Sequence, residues 1–138
     1  VLEAIKGTDL KLYVSTFYQE GGSPEFDEGI KKFINSSSEN LAANGGNDTI
    51  SAVTAMGYDA YYVALEAIKK AGSGDKAAIM KALPDVTYDG VSGSIAFDSQ
   101  GDAIRDTAYI KTANTTDGTW ALETVQKGSS TAETEPST

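Results

Sequence analysis

The sequence predicts one domain of the α/β class, with about three helices, one strand before them and an antiparallel meander of strands after them. Apolar and polar residues alternate in residues 10–17, the pattern of a strand with one buried face. Residues 24–83 instead place apolar side chains three and four positions apart, which is helical spacing. From residue 91 onward the two-residue alternation returns in short runs separated by Gly, Asp and Asn. The length of 138 residues fits one ordinary domain.

The first two elements are a strand and a helix joined by a glycine-containing loop. Leu10, Leu12 and Val14 share one face of the predicted strand. Ser23 followed by Pro24 predicts an N-cap and a first helical residue, because proline has no N–H to leave unpaired there. Residues 35–48 are polar and weakly patterned, so this helix either frays there or continues one turn past residue 38.

A long helix and a short one follow. Asp48 is the predicted cap of the long helix, whose apolar residues keep helical spacing for about five turns until Gly72 ends it. Asp75 is the predicted cap of the third helix, which breaks at Pro84.

The predicted meander has three strands. Ile95 and Phe97 mark the first strand, and residues 107–113 and 119–125 form the other two. Residues 126–138 contain no large apolar residue, so we expect a disordered polar tail.

Composition excludes several classes of function. Eleven Lys and Arg against twenty Asp and Glu give a net charge of -9, which repels nucleic acids and anionic membrane surfaces. The chain has no Cys and no His, so thiolate zinc sites, Cys nucleophiles and the commonest general base are absent. No catalytic or metal-binding constellation can be assembled from the remaining residues. We therefore expect a protein that is not an enzyme and that uses no cofactor or metal.

One loop has a second possible interpretation. Asp98, Gln100 and Asp102 alternate around a glycine, as ligands do in a calcium loop. Such a loop needs glycine at its sixth position and Glu at its twelfth, where this sequence has Ala103 and Tyr109. The pattern favours a polar hairpin turn.

The long helix carries two further candidates. Asp59 is either solvated, a cap for a neighbouring loop, or a buried acid with a raised pKa. Tyr58, Tyr61 and Tyr62 could stack on a ligand, but aromatic residues at helical spacing are more often core residues.

Six segments taken in order carry a family resemblance: KLYVSTFY, SPEFDEGIKKF, GYDAYYVALEAIKKAG, DKAAIMKAL, YDGVSGSIAFDSQGDAIRDTAYI and DGTW. Together they resemble the C-terminal part of the branched-chain amino acid (Leu/Ile/Val-type) solute-binding proteins of ABC importers, which have the type I periplasmic binding fold. The resemblance covers residues 10–125. Members of that family have two α/β lobes joined by three crossover strands, and their ligand lies between the lobes.

The resemblance implies an assignment of residues 1–125 to lobes. Residues 10–16 would be a strand of the second lobe, residues 24–84 would be helices of the first lobe, and residues 91–125 would be a second-lobe meander. The chain would cross between the lobes near Gly90. Residues 126–138 would remain the polar tail.

The resemblance also implies where a ligand would lie. Phe17 and Tyr18, after the crossover strand, and Ala55 and Tyr58, at the start of the long helix, would form a wall of the ligand cleft. Ala55 stands about where better-known members carry an aromatic side chain, so the ligand cannot be named from the resemblance.

The expected function is that of an extracytoplasmic, bacterial solute-binding component, periplasmic or held at the cell surface as a lipoprotein, with its signal peptide removed. Its partners would be an amino acid and the membrane permease of an ABC importer, and nucleic acid would not be a partner. The alternative is a ligand-sensing domain of a receptor or regulator with the same fold. An independent small enzyme is the least favoured possibility.

The chain should also associate with itself. In the family, parallel sheets cover the helices, and nothing in this sequence supplies them. Phe26, Phe33, Met56 and Val63 would therefore need another apolar partner, which a second copy can provide.

Overall fold

The structure is a computed structural model and describes residues 1–105 and 107–128. It contains, in chain order, helix α1 Leu2–Ile5, strand β1 Tyr13–Thr16, helices α2 Pro24–Ile34, α3 Ser38–Ala43, α4 Ala52–Ala71 and α5 Lys76–Ala82, a 3-10 turn Leu83–Asp85, and strands β2 Tyr88–Gly90, β3 Gly93–Phe97, β4 Ala103–Ile104, β5 Thr107–Asn114 and β6 Thr119–Lys127. The structure contains both helices and antiparallel strands, so the predicted α/β class is confirmed.

The strands form two antiparallel sheets rather than one meander. The first sheet has the order β1-β5-β6, and its β5–β6 pairing is the predicted one. The second has the order β2-β3-β4. The strand of Ile95 therefore belongs to a different sheet from the one the sequence predicted, because Ile95 is buried against Val63, Ala67 and Val86.

The molecule therefore divides into two parts. We call β1, β5 and β6 the sheet body, and residues 18–105, with α2 to α5 and β2 to β4, the helical body. Since β3 and β4 pack with the helices, the chain stays in the helical body as far as Ile104 and is paired in the sheet body from Thr107 onward. The assignment of these segments to lobes, with a crossing near Gly90, stays a prediction.

Two predicted helix ends are confirmed and one predicted cap is wrong. Ser23 is the N-cap position of α2 with Pro24 after it, as predicted, but its side chain forms no capping hydrogen bond. Asp75 caps α5 by accepting the N–H of Ala78, and Gly72 ends α4 with φ 60°, both as predicted. Asp48 is not the cap of α4, because its carboxylate accepts the side-chain amide of Asn35. Ser51 caps α4 instead.

Three other boundaries differ from the prediction. The first strand is limited to Tyr13–Thr16. Helix α2 ends at Ile34, and a separate short helix, α3, begins after its own cap, Ser37. Strand β6 continues to Lys127, so Gln126 and Lys127 are not part of a tail. The rest of the predicted tail, residues 129–138, lies outside the described residues.

The helical body has two apolar cores. Tyr18, Phe26, Ile50 and Ala55 form the first, which joins α2 to the start of α4. The second joins the later turns of α4 to β3, and its members are Val63, Ala67, Val86 and Ile95. Two residues that were expected to lack a partner, Phe26 and Val63, are thus covered within the chain.

Candidate functional site

The segment that leaves the sheet body is fixed at its far end by Tyr18. Tyr18 is buried, its ring meets the edge of Phe26 at 5.4 Å, and its hydroxyl donates to Asp27 Oδ1 at 2.5 Å. Burial and the bond to Asp27 raise the pKa of Tyr18 above its usual value, because both disfavour the phenolate. Asp27 Oδ2 also accepts the N–H of Gly21, so the loop is held at two points.

Glu20 fixes the same loop to the neighbouring segment. Its Oε2 lies 2.7 Å from Lys31 Nζ, and its Oε1 accepts the N–H of Ile50 at 2.7 Å. The hydrogen bond to Glu20 raises the pKa of Lys31. The loop between β1 and α2 therefore belongs to the helical body from Tyr18 onward.

Asp59 organises the centre of the helical body. It lies in α4 with 0% of its surface exposed. Its Oδ1 accepts the N–H of Val91, and its Oδ2 accepts the N–H and the hydroxyl of Ser92, at 2.8, 2.8 and 2.5 Å. Of the three possibilities the sequence left open, Asp59 caps a neighbouring loop. The backbone of Gly90 approaches the same carboxylate so closely that no side chain would fit there.

Arg105 lies at the return to the sheet body. It donates from Nη1 to the carbonyl oxygen and to Oγ of Ser92, both at 3.0 Å. Its guanidinium carbon is 5.4 Å from the centre of the Phe17 ring, within the range of a cation–π contact. The two segments that join the bodies therefore touch through Phe17 and Arg105.

A row of aromatic rings runs along the side of α4. Phe26, Tyr58, Tyr62 and Tyr88 follow one another at 4.9, 4.9 and 5.9 Å between ring centres. The hydrogen bond between the hydroxyls of Tyr58 and Tyr62 is the main effect that raises the pKa of Tyr58 to about 12. Burial and the charge of Asp59 raise the pKa of Tyr88. Tyr61 packs against Tyr62 but is largely exposed, so these tyrosines form a surface row and not a core.

Two of the cavities beside the long helix adjoin the aromatic row or the second apolar core. A polar cavity of 370 Å³ lies beside the aromatic row, and it is lined by Phe26, Tyr58 and Tyr88 together with the acidic Glu25 and Asp89. A second cavity of 340 Å³ is apolar and lies between α4 and β3, with Arg105 at its rim; its apolar lining includes Met56, Ala60, Val63, Leu83, Ile95 and Phe97.

The structure brings three of the four proposed ligand residues together. Tyr18 and Ala55 are both buried in the core that contains Phe26, and Tyr58 lies 4.9 Å from the Phe26 ring. Phe17 points instead to Arg105. Phe17 and Tyr58 keep 40% and 37% of their surface exposed, whereas Tyr18 and Ala55 keep almost none. Contact of these residues with a ligand stays a prediction.

The sequence interpretation missed Gly90, Ser92 and Arg105. The available signal was that YDA and GVSG lie in two of the segments that carry the resemblance, and Asp59 of the first accepts hydrogen bonds from the second.

The loop of Asp98 is a hairpin turn, as the sequence favoured. Asp98 Oδ1 accepts the N–H groups of Gln100 and Asp102, and the turn connects β3 to β4. Within residues 1–105 and 107–128, no three acidic side chains are placed to hold a metal ion. No helix in this described part of the chain is long and apolar enough to cross a membrane.

Five helices and six antiparallel strands within the described residues are consistent with a fragment of a binding-protein fold. Residues 1–119 match the family model described as periplasmic binding protein, so the chain belongs to the periplasmic binding protein family.

Among solved structures the chain is similar to the leucine binding protein LivK of Thermotoga maritima, with 28% sequence identity and a TM-score of 0.62. That match covers 91% of this chain and 32% of the other, so the chain spans about a third of the protein it matches. Among curated proteins, none matches this chain. The resemblance to a type I periplasmic binding protein of the branched-chain amino acid group is confirmed.

Proposed function

We propose that the chain is part of the extracytoplasmic solute-binding component of a bacterial ABC importer that takes up amino acids. The observation that carries this proposal is the family match over residues 1–119, together with the similarity to a protein named for binding leucine. The partners would be an amino acid and the importer's membrane permease. The protein would act in the periplasm or as a lipoprotein at the cell surface.

The mechanism we propose is closure of two lobes around the solute. A ligand that makes contacts available only in the closed arrangement shifts the population toward that arrangement. In this chain the helical body would contribute to one lobe and the sheet body to the other. The role is binding and not catalysis, since the family is one of binding proteins and the chain has no His or Cys.

Within this mechanism we assign different tasks to the four cleft residues. Phe17 and Tyr58 have exposed ring surface and would face the solute. Tyr18 and Ala55 lie behind them in the core around Phe26, and would keep that wall in place.

The test is calorimetry with leucine, isoleucine and valine. The full-length protein that contains this chain should bind at least one of them, while the 138-residue chain alone should bind weakly or not at all, because most of the cleft would lie outside it. Tight binding by the chain alone would refute the assignment of the cleft to two lobes. Absence of binding to any amino acid by the full-length protein would refute the proposed solute class.

A pair of tyrosine variants tests the cleft wall in the full-length protein. Tyr58→Ala should weaken solute binding, whereas Tyr61→Ala, which removes the same side chain from an outer position of the same helix, should leave it unchanged. Equal effects of the two variants would contradict the assignment of Tyr58.

We also propose that the chain alone associates with itself. Phe33 and Val53 are 65% and 76% exposed, and the apolar cavity beside α4 has no cover within residues 1–105 and 107–128. Light scattering should therefore give a mass above that of one chain. A compact monomer would contradict this proposal.

A further inference from the structure

The path from the sheet body to the helical body contains one residue that is neither paired in the sheet nor buried in the helical body. Thr16 is paired with Tyr109 in the sheet, and Tyr18 is buried and hydrogen-bonded in the helical body. Phe17 lies between them with 40% of its surface exposed. A change in orientation of the two bodies must therefore pass through the backbone at Phe17.

The return path from the helical body begins at Arg105. Ile104 is the last residue paired within the helical body, and Thr107 is the first paired within the sheet body. Arg105 follows Ile104 directly, and its guanidinium lies over the Phe17 ring. The two connecting segments are thus in contact at the residues where each leaves its body.

Arg105 is itself held by the helical body. It donates to the carbonyl and hydroxyl oxygens of Ser92, and Ser92 donates its N–H and hydroxyl to Asp59. Asp59 has no exposed surface, so its position is fixed by α4. This chain of hydrogen bonds leads from the centre of α4 to the face of the Phe17 ring.

We propose that Phe17 and Arg105 form the pivot between the two bodies, and that Asp59, acting through Ser92, positions Arg105 in it. Arg105 is the chain's single arginine, and its planar group can donate to Ser92 while its face covers a ring. A lysine at this position would keep the charge but not this geometry. The part of the inference that concerns lobe closure rests on the proposed function, while the orientation of the two bodies does not.

The experiment measures the distance between the bodies in the 138-residue chain. The chain has no native cysteine, so Ala77→Cys on α5 and Ala121→Cys on β6 give two unique, exposed sites for spin labels. Pulsed electron spin resonance then gives the distribution of distances, and an excess of unlabelled chain removes distances between copies. The labelled chain should show one narrow distribution.

Variants of the pivot should widen or shift this distribution. For Arg105→Ala and Phe17→Ala, the ratio of the original orientation to all others should fall about 2- to 30-fold, as expected for loss of a cation–π contact. Arg105→Lys should have a smaller effect in the same direction. Ser92→Ala should act like the arginine variants because it removes an acceptor that Arg105 uses.

Matched controls separate the pivot from general loosening. Ser94→Ala removes a serine two residues further along the chain, in β3, whose hydroxyl donates to Asp89. Phe33→Ala removes an exposed phenylalanine from α2. Both controls should leave the distribution unchanged. Circular dichroism identifies any variant that does not fold. If Arg105→Ala does not fold, the distance distribution of Arg105→Lys decides whether Arg105 is part of the pivot.

Each outcome decides for or against the pivot. A broad distribution in the unmutated chain, unchanged widths in folded Arg105 and Phe17 variants, or equal effects of Ser92→Ala and Ser94→Ala would overturn it. No solute is present in this measurement, so its failure is distinct from a failure of the solute-binding proposal. In the full-length protein, a true pivot should alter solute affinity through the opening equilibrium, with no contact between Arg105 and the solute.

Discussion

Replacing Gly90 with alanine should strongly destabilise the helical body. The added Cβ would lie 2.5 Å from Asp59 Oδ1, and closer still to Oδ2 and Cγ. Non-bonded heavy atoms usually approach no closer than about 3.5 Å. Gly90 does not have a positive φ, so the effect is steric and does not come from the backbone conformation.

The expected cost follows from what the carboxylate must give up. Asp59 accepts three hydrogen bonds, from two backbone N–H groups and one hydroxyl. A hydrogen bond to a charged group contributes about 1.5–3 kcal/mol, and overpacking adds about 1–3 kcal/mol. If one hydrogen bond is lost and the rest are strained, the free energy of unfolding should fall by about 3–5 kcal/mol. At about 3 °C per kcal/mol, the melting temperature should fall by roughly 10 °C.

Thermal and urea unfolding of four variants test this reasoning. Gly57→Ala is the matched control, since Gly57 lies in α4 and an added Cβ there meets nothing within 4 Å. This control should be neutral or stabilising, because alanine favours helix more than glycine does. Asp59→Ala should be destabilising by itself, and adding Gly90→Ala to it should cost little more, because the obstructing group is gone.

Additive losses of stability from Gly90→Ala and Asp59→Ala would refute this explanation. If Gly90→Ala costs as much in the Asp59→Ala background as in the native chain, then the carboxylate is not what alanine meets. A melting temperature for Gly90→Ala equal to that of Gly57→Ala would refute the close approach itself.

Two further changes have definite expected outcomes. Asp75→Ala should lower the free energy of unfolding by about 1 kcal/mol in urea titration, because the N–H of Ala78 loses its cap; no change would mean that water replaces it. The pKa of Tyr58 is raised to about 12, so the folded state prefers the neutral form of this side chain. The stabilisation that neutral Tyr58 gives the folded state is therefore complete below pH 10 and is lost as the pH rises toward 12. Tyrosinate absorbance, compared between the native chain and Tyr58→Phe, should show this late ionisation. Tyr62→Phe should lower the pKa of Tyr58, because it alters the hydrogen bond between the two hydroxyls. An unchanged pKa of Tyr58 in Tyr62→Phe would contradict the role of that hydrogen bond.

The elements that the sequence predicted well are those that local pattern defines. The spacing of apolar residues located α2 and α4. Gly72 and Asp75 marked the end of one helix and the start of the next, because capping depends on only a few neighbouring residues. Helix α3 was missed because it has no apolar stripe and depends on the cap at Ser37. Asp48 and Ser51 are both capping residue types, and the path of the chain decides between them by placing Asn35 beside Asp48.

What the sequence could not supply is the partner of each element. Alternation identifies the buried face of β3 but not the strand beside it, so its sheet was assigned wrongly. The same limit applies to the site. Asp59, Ser92 and Arg105 come from three separated segments, and their hydrogen bonds depend on how α4, β3 and the return segment pack together.

The contact between Phe17 and Arg105 also has a consequence for the order of folding. Strand β1 must pair with β5 across the whole helical body, since Tyr13 lies opposite Thr112. Closing so long a loop is slow when the intervening chain is unfolded. Once the helical body has formed, Arg105 over Phe17 brings its two ends together, and the pairing needs only a short closure. We therefore expect pulsed hydrogen exchange to show amides of α4 protected before those of β1, and Arg105→Ala to delay β1 more than α4.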